Sequence, residues 1–460
     1  MRQLGGSTEK GAAFERDWTK GSLLGNLWSL SWPMTITSSL TMLGPTIDMI
    51  WVGRLGSVSI AGVGVAGMAV MLVNSAMMGL NMGLRAMIAR FIGEGDVEGA
   101  NNVARQAFII SARFGTIMAV VGIILAEPIL SLLGLEADVV AEGAAYMRIM
   151  FVGSVVMSFR TMTEGTMQAS GDAITPMRIA IFFRIFHVAI CPFIIFGWWI
   201  FPRLGVSGAA LTNVISQSLG VTLGLWFLFT GRTRLRLNLR NFHLDRDIIW
   251  RIVKIGIPAS INGMERSVVN IVMMWFVVSF GTLAVAAHTI MQRLEMIVLM
   301  PGMGFGMAAG VLAGQNLGAG QPERAERVGW LAGGLLTGLM IISSLAVWFW
   351  AESIISIFNA EPGLEEIAAT FLRIQIAGFL VLGIAAVLTD CLNGVGDTMI
   401  PMLASLSSMW LVQVPMAFFL PRFTNIGVYG VRWAMVTALA VRAVTYIVYF
   451  RHGRWKRKTV

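Results

Sequence analysis

A carboxylate in an apolar stretch of chain needs either a partner or a task, because a charge at the centre of a membrane helix costs about 2.5–3.5 kcal/mol on insertion scales. Asp48, in PTIDMIWV, is the leading residue of this kind, and it stands six residues before Arg54. At 1.5 Å of rise per residue that is about 9 Å, which places it away from the middle of its span. Glu265 lies seven residues after Pro258, with Arg266 and Arg293 as candidate ion-pair partners, and Glu295 follows Arg293 in HTIMQRLEMIVLMPG. Arg184 and His187 are one helical turn apart and form a cationic or titratable patch, since imidazole changes charge near neutral pH. Arg160 stands four residues before Glu164, the spacing of a same-face ion pair that could lock a gate. Asp390 is a third gating candidate, a few residues before a glycine turn. For each of these the structural alternative is a satisfied interior ion pair or a solvated helix end.

The elements that must hold these groups follow from composition. Of 460 residues, 56% are hydrophobic and 13% charged, about half the charged share of a soluble domain. Apolar runs of about 20 residues, enough to cross about 30 Å of hydrocarbon, recur twelve times, near 28–53, 60–90, 106–126, 140–166, 176–199, 206–230, 252–280, 285–313, 327–350, 366–392, 400–420 and 427–450. The first six repeat in the second six at an offset of 225, which pairs Pro33 with Pro258, Gly56 with Gly281, Gly171 with Gly396 and Pro176 with Pro401. The fold class expected is an all-α membrane protein, twelve helices in two pseudo-symmetric six-helix lobes around a central cavity. Its divisions are a cytoplasmic segment 1–27, an N-lobe 28–230, a linker 231–251, a C-lobe 252–450 and a basic tail 451–460. Within the linker, residues 233–239 alternate polar with apolar, as a surface strand or amphipathic segment would. Pro33, Pro45 and Pro258 are the candidate bending points.

The formal charge of +9 is explained by topology and not by nucleic acid. Arg2, Lys10, Arg16, the cluster Arg232 to Lys254 including Arg240, and the tail from Arg451 all fall on one side after an even number of crossings, which makes that side cytoplasmic. Glu127, Glu136 and Glu361 fall on the other. The expected location is the plasma (inner) membrane, with both termini in the cytoplasm and no signal peptide. Cys191 and Cys391 are the only cysteines, and no paired metal-ligand spacing accompanies them, so neither disulfide nor zinc is expected. A monomer in contact with membrane lipid is the expected state, with no cofactor.

The repeated connections ARFIGEGD and GQNLGAGQ, QASGDAITPM and NGVGDTMIPM, together with Pro33, Asp48, Gly53 and Gly56, and with Ala286, Ala287, His288, Pro301 and Gly304, resemble the multidrug and toxic compound extrusion (MATE) family over roughly residues 25–450. The resemblance implies a secondary antiporter that exchanges H⁺ or Na⁺ for organic, commonly cationic or amphipathic, small molecules. It implies coupling at Asp48, the match to the family's first-helix acid, and a cation-binding acid at Glu265, one residue out of register. H⁺ or Na⁺ is then the coupling ion, and the only metal expected is Na⁺ at Asp48 or Glu265. Where many relatives carry Asn, three residues, then Asp-Pro, this chain has His187 and Cys191-Pro192, so the second acid of the N-lobe network is absent. Met34 and Met264 are candidates for a deformable apolar substrate lining, with lipid contact or packing as the alternative.

Two other functions compete. A lipid-linked precursor flippase of the same larger exporter group would present a broad cationic site. An intramembrane enzyme would need a convergent nucleophile and base, and neither Gly-x-Ser-x-Gly nor His-Glu-x-x-His occurs; the absence of a P-loop argues against direct ATP drive.

Overall fold

The computed structural model describes residues 16–238, 243–356 and 362–459. The expected charges Arg2, Lys10, Arg240 and Glu361 lie outside them. Among the described residues twelve long helices follow one another: α1 (Leu23–Val52), α2 (Ser57–Glu94), α3 (Val97–Ser131), α4 (Ala137–Val152 and Ser154–Ser170, bent by 45° at Gly153), α5 (Ile174–Phe196), α6 (Gly205–Thr230), α7 (Arg246–Val278), α8 (Thr282–Gly318), α9 (Pro322–Ser356), α10 (Pro362–Gly394), α11 (Met399–Phe423) and α12 (Tyr429–His452). Nine are long and apolar enough to cross a membrane, and α4 makes a tenth as a bent pair. The other two are α1 and α7, the first helix of each half, whose apolarity is diluted by Ser, Thr, Asn and the acids Asp48 and Glu265. Helix geometry tolerates the hydroxyls because they bond back to the preceding turn, as Ser31 Oγ does to the Leu27 carbonyl at 2.7 Å. Pro33, Pro45 and Pro258 all lie within continuous helix. Along α11, residues 408–413 widen into a π-helical stretch.

The chain divides into two compact units. One holds residues 16–20 and Ile36–Gly256, the other Gly21–Thr35 and Ile257–Val460, so the divisions fall inside α1 and α7. In the first unit a core gathers Val63 and Ala66 of α2, Tyr146, Met147 and Phe151 of α4, Cys191 and Ile195 of α5, and Ala209 and Ala210 of α6. In the second, Val269 and Met273 of α7 pack with Ala284, Met409, Ala417, Val431 and Ala434. Alanines recur in both cores between the larger side chains because helices in lipid associate by close packing.

Between α6 and α7 the described residues form no strand. The alternation instead buries Leu235 and Leu237 while Arg234 donates to the carbonyls of Arg16 and Ser170, each at 3.3 Å. Asp245 then caps α7 by accepting from the Asp247 and Ile248 amides, both at 3.1 Å.

Candidate functional site

Three helices of the first unit converge on Asp48. Its side chain is 1% exposed. From α5, His187 Nε2 lies 2.9 Å from Oδ1 and the Cys191 thiol donates to the same oxygen at 3.8 Å. The two residues are four apart and so share a helical face. From α6, Asn213 Nδ2 donates to Oδ2 at 3.1 Å. Arg184, one turn before His187, donates to its Nδ1 at 3.1 Å. A guanidinium can only donate, so Nδ1 is the acceptor and the proton of the neutral ring sits on Nε2, facing Asp48. That N–H is not aligned with Oδ1, which makes the contact electrostatic. Space for the guanidinium exists because α1 has Gly44 at this level: a β-carbon there would lie 2.5 Å from Arg184 Nη1.

The ligand atoms of Asp48, His187 and Cys191 all lie within 4.8 Å of one another, a set that sequence spacing did not reveal. A soft metal would need the Nε2 lone pair and a thiolate. Here Arg184 makes Nε2 a donor and the thiol hydrogen is engaged by Asp48, so the set does not fit a metal as arranged. A hard cation such as Na⁺ would need several oxygens. Among the described side chains that touch Asp48, His187 and Cys191 supply none, and the Asn213 carbonyl oxygen is turned to the Gln217 amide.

The polar chain continues beyond Asn213. Gln217 Nε2 donates to Asn213 Oδ1, Arg160 Nε donates to Gln217 Oε1 at 3.0 Å, and Arg160 Nη1 pairs with Glu164 at 2.6 Å. Gln168 closes it, donating to the other Glu164 oxygen at 3.1 Å. Arg160 and Arg184 flank one ring, their guanidinium carbons 5.6 and 5.5 Å from the Phe183 centroid.

In the second unit Glu265 is buried, but neither Arg266 nor Arg293 meets it, and both are exposed. Ser405 donates to Glu265 Oε2 at 2.6 Å, and Arg442 Nη2 of α12 stands 3.7 Å from Oε1. Arg442 is itself held by Ser408, within the π-helical stretch, at 3.1 Å. A tethered guanidinium thus stands beside Glu265 Oε1, the oxygen that Ser405 does not engage. Glu265 and Asp48 both use the first, fifth and sixth helices of their halves, yet Glu265 follows its proline by seven residues and Asp48 by fifteen, a difference in depth of about 12 Å. Glu295 pairs with Arg432, which is 0% exposed, at 2.8 Å. Arg432 also reaches the His288 carbonyl at 3.5 Å and lies 5.0 Å from the Phe371 centroid. Asp390 packs against α8 at Gly306, where a β-carbon would come within 2.0 Å of its Oδ2. Met34 is fully buried and Met264 exposed.

Sequence reasoning missed Asn213, Gln217, Ser405, Arg432 and Arg442. The two arginines carried a readable signal, since they are charges in an apolar span and the cost argument applied to Asp48 applies equally to them. Asn213 and Gln217, four apart in α6, carried a weaker one.

The sequence profile of the MatE family matches residues 33–193 and 258–419, one stretch in each half. The chain belongs to the MatE family. Among its relatives, the probable multidrug resistance protein YoeA of Bacillus subtilis is 27% identical over 435 residues, 93% of each chain. The FAD transporter of Shewanella oneidensis is 25% identical over 381 residues, 82% of this chain and 84% of that one. A crystal structure of a MATE protein in the bent conformation superposes with a TM-score of 0.90 at 23% identity, covering 97% of this chain and 98% of that one. Membership makes this a multi-pass membrane transporter, and the twelve helices in two units are the family's architecture.

Proposed function

We propose that the protein is a proton-coupled antiporter of the plasma membrane that exports organic, cationic or amphipathic, compounds by alternating access, with both termini in the cytoplasm. The observation that carries the choice of ion is the surround of Asp48. Its neighbours are hydrogen donors, namely the His187 ring, the Cys191 thiol and the Asn213 amide. Such a surround stabilises a carboxylate and releases it when a proton binds, but turns N–H and S–H groups toward the place where a sodium ion would need further oxygens. Glu265 is charge-compensated in place by Arg442 and hydrogen-bonded by Ser405, so it is not the coupling acid in this reading. Protonation of Asp48 removes the charge that holds His187 and Asn213 around α1, next to Gly44 and Pro45, and so biases one access state over the other.

Proteoliposomes provide the test, with pH and Na⁺ gradients imposed separately while a fluorescent organic cation is followed. Efflux is expected under the pH gradient alone, and Asp48→Asn is expected to abolish it while the protein still inserts. Equal drive by Na⁺ at fixed pH, or full coupled transport by Asp48→Asn, would reject the assignment.

One observation favours a second reading, export of an organic anion. Arg160 and Arg184 flank the Phe183 ring as a site for an aromatic anion would, and a relative is named for transport of FAD, an anionic dinucleotide. The same vesicles loaded with FAD in place of the cation distinguish the two.

A further inference from the structure

The hydrogen bonds leading away from Asp48 have a direction, and it is fixed by the chemistry of the two ends. An ionised carboxylate can only accept, so Asn213 must turn its NH₂ toward Asp48. A guanidinium can only donate, so Gln217 must turn its carbonyl toward Arg160. The remaining contact is then forced to run from the Gln217 amide nitrogen to the Asn213 carbonyl, as it does. Every donor between Arg160 and Asp48 points at Asp48, and aligned bonds of this kind polarise and strengthen one another. The chain ends on Glu164, with Arg160 divided between Gln217 and that carboxylate. Asn213 to Gln217 and Arg160 to Glu164 are each one helical turn, so the path covers about 12 Å along α6 and α4 toward the ends that carry Gly231 and Gly171.

We propose that Asn213, Gln217 and Arg160 are positioning residues that report the charge of Asp48 to Glu164 at the far end of α4. The proposal rests on Asp48 being the proton-coupling group. A protonated Asp48 carries a hydroxyl that can donate, which removes the constraint at that end. Asn213 and Gln217 can then invert together, Gln217 no longer accepts from Arg160, and Arg160 passes wholly to Glu164. The O–H bond on Asp48 is formed by the transported proton and broken when that proton leaves, and beyond it only hydrogen bonds change. The groups facing Asp48 are Arg184, His187 and Cys191 of α5, Asn213 of α6, and Tyr146 of α4, which lies within its field.

Hydrogen–deuterium exchange of the full chain in lipid nanodiscs, followed over residues 161–170, reads the far end of the relay, and proton-driven efflux is measured in parallel. In the wild type, exchange corrected for its intrinsic rate is expected to differ about tenfold between low and neutral pH, the worth of one hydrogen bond to a charged group. Asp48→Asn is expected to remove that difference. Gln217→Met, close in shape but unable to bridge the Asn213 amide and the Arg160 guanidinium, and Arg160→Lys, which cannot serve Gln217 and Glu164 in the same geometry, are each expected to remove it and to uncouple efflux from the pH gradient; in Gln217→Met gradient-independent substrate exchange continues. The swapped pair Asn213→Gln with Gln217→Asn keeps both amides and is expected to restore the response, which loss of packing alone would not permit. A wild-type response in folded Gln217→Met and Arg160→Lys, with Asp48→Asn unresponsive, overturns the relay and leaves the coupling assignment standing. A wild-type response in Asp48→Asn overturns both.

Discussion

Removing one charge of the Glu295–Arg432 pair is expected to cost far more than removing both. Arg432 is 0% exposed, its Nη1 lies 2.8 Å from Glu295, and its other contacts include a backbone carbonyl at 3.5 Å, the Met435 sulfur at 3.9 Å and the Phe371 ring. Glu295→Gln preserves shape but strands a guanidinium that cannot shed its proton. Breaking a buried pair in this way costs about 3–5 kcal/mol, and for a unit of this size each kcal/mol moves the unfolding midpoint by roughly 2–4 °C, so a fall of roughly 6–20 °C is expected. Arg432→Met strands a carboxyl, which can take up a proton, and should cost less, with the difference shrinking as pH falls. The double variant leaves no charge behind and should return to within about 1 kcal/mol of the wild type, because a buried pair and an apolar replacement of similar volume are often equivalent. Thermal unfolding in detergent, read by the loss of the monodisperse chromatographic peak, measures all four proteins of the cycle. A shift below about 2 °C for Glu295→Gln would refute the reasoning, since it would mean that Arg432 is compensated by water and not by Glu295.

Two further outcomes concern the other carboxylates. Asp172, in the turn between α4 and α5, accepts from the Thr175 amide at 3.0 Å, yet burial raises its pKa above the ordinary carboxylate value. A raised folded pKa means that the native state holds the proton more tightly, so its contribution is full below the unfolded value and is lost as pH rises through the folded one. Asp172→Asn retains the accepting oxygen and should therefore stabilise the protein at neutral pH but not below about pH 4, as thermal unfolding at the two pH values would show. Ser405→Ala removes the 2.6 Å donor from Glu265, whose other oxygen has only Arg442 at 3.7 Å. It should cost about 1–3 kcal/mol of stability while the pH gradient still drives efflux, and loss of that drive would return Glu265 to the coupling role.

What the sequence determined by itself was the frame and its acids. Twelve apolar runs at membrane length and a repeat of 225 positions sufficed for twelve helices in two halves, because span length and hydropathy are local properties of the chain. The pairing of Arg160 with Glu164 and of Arg184 with His187 was equally legible, since residues three or four apart on a helix face each other whatever surrounds them. Only the tertiary structure decided what each acid meets. Asn213 reaches Asp48 across 165 positions, Ser405 reaches Glu265 across 140 and Arg432 reaches Glu295 across 137. Those contacts depend on how each helix is rotated about its own axis, and a slip of one residue would turn a side chain by about 100°. Packing of small residues sets that rotation, as Gly44 beneath Arg184 and Gly306 beneath Asp390 illustrate, and no periodicity in the chain encodes it. In the proposed reading the coupling ion turns on which atoms of His187, Cys191 and Asn213 point at Asp48, and spacing along the chain does not reach that.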